Sequence, residues 1–309
     1  MSFLVVGLNP VIQRTHRVNN LTVGASQQIL SSRTDLAGQG ANTTRMLNQL
    51  GAAATYLSQV GVDDWDLYSR LVSFESMVAE SVEAPGGVRN CHTLIDVSSS
   101  EVTEIVEEGP RVGPDVEEAV RKRFVSVLPS HSWVVITGSK AVGFSEELVP
   151  FMVSEAKSKG KRIGLDIREA DLKHSLPYSP DFVKINVPEF LKTVAPHVDA
   201  AEREIDSEHS TLIADKLSEL TADGSTAFAL THARNSSYLA VAGHVTHMQP
   251  PLVETTNTIG CGDAVMAGML WALENGATFE EALHKGHECA ATNAQLLKPG
   301  SLVDAPPLE

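Results

Sequence analysis

The chain has 309 residues, 42% hydrophobic and 20% charged, enough for one large domain or two small ones. Its formal net charge of −15 argues against nucleic acid as a partner, because phosphate backbones call for a basic surface. It does not forbid a small anion held by a few local cations. No apolar run reaches the roughly 20 residues needed to cross a bilayer, so no membrane partner is expected. The three cysteines, Cys91, Cys261 and Cys289, are too few and too scattered for a disulfide framework or a zinc site. The opening MSFLVVGLNP lacks the basic flank and cleavage pattern of a secretory signal and reads as a first strand, which makes the cytoplasm the expected compartment.

In chain order, short apolar runs without clear alternation mark buried strands. They are FLVVGL (Phe3–Leu8), WVVITG (Trp133–Gly138), RIGLDI (Arg162–Ile167), FVKIN (Phe182–Asn186) and TAFALT (Thr226–Thr231). Helical patterns at Asn42–Leu50, Asp115–Leu128, Ser145–Gly160 and Ser210–Leu220 lie between most of them. Such alternation predicts parallel βαβ units with both sheet faces covered, an α/β layer architecture. Two regions break the rhythm. Ile12–Val18 with Ser26–Asp35, and Asn90–Val97 with Glu101–Glu108, alternate like antiparallel strands half exposed to water. A small antiparallel sheet inserted into a large parallel one would make a lid. No internal repeat or long linker is found, so a single domain is expected, with lid segments near 11–35 and 88–108. The last helical stretches, Gly262–Asn275 and Thr278–Leu297, are rich in small residues that permit close helix packing. His284 and His287 lack a third ligand at clear spacing and are expected on a helix surface.

Chemistry concentrates in TNTIGCGDAVMAGML, Thr256 to Leu270. A glycine-rich turn opening a helix leaves backbone N–H groups unpaired, and with the helix dipole these attract an anion such as phosphate. Asp263 would stand in the first turn, where a carboxylate repels phosphate unless it removes a proton from an attacking hydroxyl. Capping the helix is the plainer role for such a residue.

This stretch, as Asn257-Thr258-Ile259-Gly260-Cys261-Gly262-Asp263, resembles the C-terminal signature of the ribokinase-like carbohydrate kinases, also called the phosphofructokinase B family. LAGQGANTTRMLNQLG, Leu36 to Gly51, is similar to that family's N-terminal glycine motif. LNPVIQRT (Leu8–Thr15), VRNCHTLID (Val88–Asp96) and KINVPEF (Lys184–Phe190) resemble segments of its 1-phosphofructokinase and tagatose-6-phosphate kinase branch. The resemblance implies a three-layer α/β/α fold with a mostly parallel central sheet and a small β-sheet lid. It also implies transfer of the γ-phosphoryl of ATP, with Mg²⁺, to a hydroxyl of a sugar or sugar phosphate.

By the same resemblance Asp263 is the general base, and the N–H groups of Gly260, Cys261 and Gly262 form an anion hole. Gln13, Gly38, Gln39, Asn42, Arg89, Ser139 and Lys140 would line the substrate site. Lys184, Thr231 and Asn293 would serve the nucleotide, and Asn186 and Glu189 would reach the metal through water. Cys261 stands where alanine is usual and reads as a spacer. A homodimer joined through an apolar lid face, as in relatives, is expected.

Four departures bear on substrate and nucleotide. Gln39 replaces the family's lysine and Gln13 its aspartate, which removes a charge and an acceptor from the sugar pocket. Lys140 is an unexpected cation at the end of a central strand, and it would partly replace the charge lost at position 39. The nucleotide loop reads THARNSS, Thr231 to Ser237, with Ala233 and Ser236 where glycines are usual, so a reshaped loop is expected. A kinase for an unphosphorylated sugar or polyol, and a catalytically weak regulator that binds a sugar phosphate, are the alternatives these changes raise.

Overall fold

The computed structural model describes residues 2–196 and 207–307. The chain enters through β1 (Ser2–Val6), then β2 (Val11–Val18), β3 (Ser31–Ala37), α1 (Gln39–Gln49), β4 (Ala53–Gly61), α2 (Trp65–Phe74) and β5 (Val78–Ala84). It continues through β6 (Arg89–Asp96), β7 (Val102–Val106), α3 (Pro114–Val127), β8 (Trp133–Thr137), α4 (Leu148–Ser158), β9 (Arg162–Asp166), α5 (Glu169–Ser175), β10 (Phe182–Asn186) and α6 (Val187–Val194). After the undescribed segment come α7 (Ser207–Thr221), β11 (Ala227–His232), β12 (Asn235–Val241), β13 (His244–Met248), α8 (Cys261–Glu274) and α9 (Phe279–Ala294).

Among the described residues, nine strands form one sheet in the order β13-β12-β11-β10-β9-β8-β1-β4-β5. Its pairs are parallel except β11–β12 and β12–β13 at one edge. Buried on both faces, inner strands such as β1, β8, β10 and β11 need no polar alternation, which is why they read as continuous apolar runs. On β1, Phe3 and Val5 join Trp133, Met266 and Leu270 on one face, while Leu4 and Val6 join Phe124, Met152 and Phe190 on the other. Helices α1, α8 and α9 cover the first face; α3, α4, α6 and α7 cover the second. The small residues of the last two helices serve packing: a Cβ built on Gly268 would lie 2.8 Å from the Gly286 Cα.

The second sheet has the order β3-β2-β6-β7. It is mixed, not antiparallel throughout: β2–β3 and β6–β7 run antiparallel, but β2 and β6 pair in parallel from Val11↔Arg89 to Val18↔Asp96. Alternation reports which face a residue occupies and carries no strand direction. The outer face also differs from expectation. Gln13, Thr15, Asp35 and Thr93 are buried on one side, while half-exposed Arg14, His16 and His92 make the other polar. Apolar exposure is confined to edge positions such as Ile105 and Val106 and to the loop carrying Val23, Ile29 and Leu30.

Strand order reverses about β1, whose neighbours are β4 on one side and β8 on the other. Open α/β sheets bind ligands beyond the carboxyl ends of the strands at such a point. The chain leaves the end of β1 to build the small sheet and returns through β3 into α1. Among the described residues, no helix is long and apolar enough to cross a membrane.

Candidate active site

Gly260 precedes α8 with φ 85° and ψ −1°, a left-handed conformation that suits glycine. A side chain there would also collide with the Gly300 backbone nitrogen, 2.5 Å from the built Cβ. The helix ladder starts with the Ala264 N–H donating to the Gly260 carbonyl at 2.9 Å. The Gly262 and Asp263 amides, in the first turn, therefore remain as donors at the positive end of α8. The Cys261 N–H instead donates back to the Thr258 carbonyl at 3.3 Å, which weakens its share of the expected anion hole. The Cys261 thiol is raised in pKa by burial, against a hydrogen bond from Asn293, and so stays protonated as a spacer does.

Asp263 is 5% exposed and accepts a 2.8 Å hydrogen bond from Asn42 Nδ2. Burial raises its pKa above the usual carboxylate value, while Asn42, Lys184, Gln39 and Arg45 pull it down. Lys184 rises from β10 directly under the turn: a Cβ on Gly262 would meet its Nζ at 2.8 Å. Its ammonium is paired at 2.9 Å with Asp166 at the end of β9. Burial alone would lower the Lys184 pKa, but Asp166, Asp263 and Glu189 outweigh it and hold the side chain charged. Asp166 is pushed up to about 6 by burial, with Lys184 pulling against.

Gln39, Gly138, Ser139, Asp166, Ile167, Arg168 and Glu189 line a cleft of about 290 Å³ beside this group. Asp166 and Arg168 escaped the sequence reading; their signal is their place at the end of a parallel strand. Arg168 Nη1 lies 2.5 Å from Glu189 Oε1. Asn186 Oδ1 accepts from the Glu189 N–H at 2.8 Å and caps α6, and Thr231 stands beside Asn186 in register on β11. Among the described residues, no group of three or more His, Cys, Asp or Glu is gathered to hold a metal. The oxygen donors at the cleft fit Mg²⁺ carried mainly by phosphates and water, and do not form a closed protein cage.

A second pocket of about 300 Å³ lies where the small sheet leaves the large one, lined in part by Asn9, Gln59, Arg89, Gly109 and Pro110. Two buried polar atoms there have no partner among the described residues, Arg89 Nε and Gln59 Oε1. Asn9 Nδ2 donates to Ser139 Oγ at 3.2 Å and so links this pocket to the cleft. Gly38, with φ 90°, opens α1 next to the Asn9 carbonyl.

Several expected roles change. Lys140 does not replace the charge lost at position 39: its Nζ is 2.5 Å from Asp171 and 2.9 Å from the Ser145 carbonyl. Asn293 does not line a nucleotide pocket. It is fully buried, with Nδ2 donating to the Ile259 carbonyl and Oδ1 accepting from the Ser301 N–H. It braces the turn that carries Gly260. Gln13 is 2% exposed and its amide donates to Thr93 at 2.8 Å. The 231–237 loop is a tight β11–β12 hairpin in which Ala233 itself takes φ 46°, so the left-handed residue survives without glycine. His287 is not on a helix surface; it is 3% exposed and 2.9 Å from Ser237 Oγ.

A buried carboxylate thus stands at a glycine-opened helix start with a lysine beneath it, beside a cleft where the strand order reverses. The chain belongs to the pfkB family of carbohydrate kinases, whose family model matches residues 4–305. It is 25% identical over 277 residues to 1-phosphofructokinase of Rhodobacter capsulatus, covering 89% of this chain and 85% of that protein. The 1-phosphofructokinase of Vibrio cholerae is 24% identical over 278 residues, covering 87% and 81%. The structure superposes on Escherichia coli phosphofructokinase-2 in complex with substrates and products with a TM-score of 0.85, at 19% identity, covering 99% of this chain and 96% of that one.

Proposed function

We propose that this carbohydrate kinase transfers the γ-phosphoryl of ATP to a hydroxyl of a sugar phosphate in the cytoplasm. The relatives named 1-phosphofructokinase support that substrate class. The whole chain works as a single domain whose small sheet, residues 11–35 and 88–108, is the lid. The observation that carries the reading is the buried Asp263 carboxylate at the start of α8, within the field of Lys184.

Asp263 takes the proton from the sugar hydroxyl as its oxygen attacks phosphorus. The amides of Gly260 and Gly262, with a lesser share from Cys261, receive the charge that develops on the transferred group. Lys184 and Thr231 face the nucleotide phosphates; Gln39, Gly38, Asn42 and Ser139 hold the sugar. Mg²⁺, when bound, neutralises charge on the nucleotide's phosphates. Asn186 and Glu189 would reach it through water. Two copies would pair through the lid edge that exposes Ile105 and Val106.

A phosphorylated substrate is favoured over a free sugar by Arg89, whose buried Nε has no partner among the described residues. A guanidinium offers phosphate a two-pronged set of donors. The test is coupled ADP release with Mg·ATP against fructose 1-phosphate, fructose 6-phosphate, tagatose 6-phosphate and the free sugars, with Asp263→Asn as control. Turnover on a phosphorylated sugar that falls by about 100-fold or more in the variant is expected. Turnover on free sugars alone would move the assignment to a sugar or polyol kinase. Sugar-phosphate binding without turnover would make the chain a regulator.

A further inference from the structure

Asp263 stands at one end of a chain of buried polar groups that runs away from the cleft. Asn42 donates to Asp263 through Nδ2 and accepts through Oδ1 from Arg45 Nη1, 2.9 Å away. Arg45, 3% exposed, grips Glu75 with two prongs, Nε to Oε2 at 2.5 Å and Nη2 to Oε1 at 3.0 Å. Its Nη1 also donates to the Gly300 carbonyl at 2.9 Å, and its Nη2 to the Leu36 carbonyl. Lys298 lies 3.0 Å from Glu75 and 3.8 Å from Asp35. Arg33 holds Asp35 at 2.6 Å on strand β3. Their side chains are all 6% exposed or less.

We propose that Arg45 is a positioning residue for phosphoryl transfer, acting through Asn42 to set the orientation of the Asp263 carboxylate. The inference rests on the reading of Asp263 as general base.

A primary amide has a donor end and an acceptor end of nearly equal shape. The ionised Asp263 carboxylate only accepts and already favours the NH₂ end, but once protonated it can donate and would tolerate the amide turned over. Arg45 presents only donors, so the Asn42 oxygen must face Arg45 and its NH₂ must face Asp263. The guanidinium is itself fixed by four acceptors, Glu75, Asn42, Gly300 and Leu36. Phosphoryl transfer depends on such positioning, and a small misplacement of a reacting group is costly.

Charge points the same way. The network holds three basic side chains, Arg33, Arg45 and Lys298, against two carboxylates, Asp35 and Glu75. With Lys298 protonated, one cation is left in excess, and the ionised form of Asp263 balances it. Burial and Arg45 lower the Lys298 pKa, while Glu75 and Asp35 pull it up. The other charged groups facing Asp263 are Lys184 on β10 and, beside it, Asp166 on β9. Neither belongs to this chain of contacts.

The test compares Arg45→Met, Arg45→Lys and Glu75→Gln in the full-length protein, using kcat, sugar-phosphate KM and the pH dependence of kcat. Arg45→Met is expected to lower kcat about 10- to 100-fold with KM little changed. It should also move the acidic limb up by roughly half a pH unit or more, because a cation near the base is lost. Arg45→Lys keeps the charge and should restore the limb while recovering only part of kcat. Glu75→Gln removes a carboxylate and should move the limb the other way, which gives an independent reading if Arg45→Met does not fold. Limbs unmoved in the folded variants, or a rise in KM with kcat intact, would overturn the proposal. Asp263→Asn separates the two levels. If its kcat stays within about tenfold of wild type, the base assignment fails. If it is inactive while the Arg45 and Glu75 variants behave as wild type, only the positioning role fails.

Discussion

Lys184 Nζ lies 2.9 Å from Asp166 Oδ2, and their side chains are 4% and 2% exposed. This buried pair bridges β10 and β9 beneath the glycine turn that carries Asp263. Removing one partner of such a pair leaves an uncompensated charge and costs about 3–5 kcal/mol. Asp166→Asn is therefore expected to lower stability by about 3 kcal/mol, discounted for the nearby Asp263 and Glu189 carboxylates, as read by urea denaturation. An unchanged midpoint would mean that those two carboxylates suffice for Lys184.

Burial raises Asp263 above the usual carboxylate range despite Asn42 and Lys184. Only the ionised form accepts a proton, so a raised pKa means activity is lost at higher pH than an ordinary aspartate would allow. The kcat profile should fall on an acidic limb above about pH 4, the usual aspartate value. Asp263→Asn should reduce kcat about 10²- to 10⁴-fold on the plateau above that limb and abolish the limb itself. A wild-type limb at the ordinary value would show that burial is not what tunes this group.

Arg89 and Lys140 offer a paired comparison. Arg89→Met should reduce kcat/KM for a phosphorylated sugar roughly 10- to 100-fold, the worth of a charge-assisted hydrogen bond of about 1.5–3 kcal/mol. Lys140→Met should change the same ratio by less than about twofold, because its ammonium is held by Asp171 away from the cleft. A large rise in KM for Lys140→Met would show that the Asp171 pair opens when substrate binds.

His287 is held neutral, its pKa lowered from 6.5 to about 4 by burial and, to a lesser degree, by His284. The unfolded chain takes up a proton below about pH 6.5 that the folded chain refuses. The stability this group contributes is thus whole above that pH and is lost as pH falls towards about 4. In His287→Gln the Tm should decline less steeply between about pH 7 and pH 5 than in wild type. Equal slopes in the two proteins would exclude His287 as a source of acid sensitivity.

Local signals in the sequence were enough for five strands of the large sheet. FVKIN marks β10 to the residue, and the runs at Phe3, Trp133, Arg162 and Thr226 find β1, β8, β9 and β11 within two residues at either end. Inner strand β4, whose apolar run is broken by Thr55, Ser58 and Gln59, went unmarked, as did β5, half exposed at the sheet edge, and the β12–β13 hairpin at the other edge. Edge strands lose the uninterrupted apolar run that betrays a strand covered on both faces.

By itself the sequence determined the α/β layering, the small second sheet and the carboxylate at the start of α8. Each is written in hydrophobic period or in glycines that a turn requires, and such signals need only near neighbours. Tertiary structure alone decided the parallel pairing of β2 with β6, the confinement of Lys140 by Asp171 and the brace role of Asn293. It also decided the relay to Asp263, which joins residues 221 positions apart at Asn42 and 255 apart between Arg45 and Gly300. Burial at those distances excludes water, and a buried polar group must find its partner wherever the fold brings one.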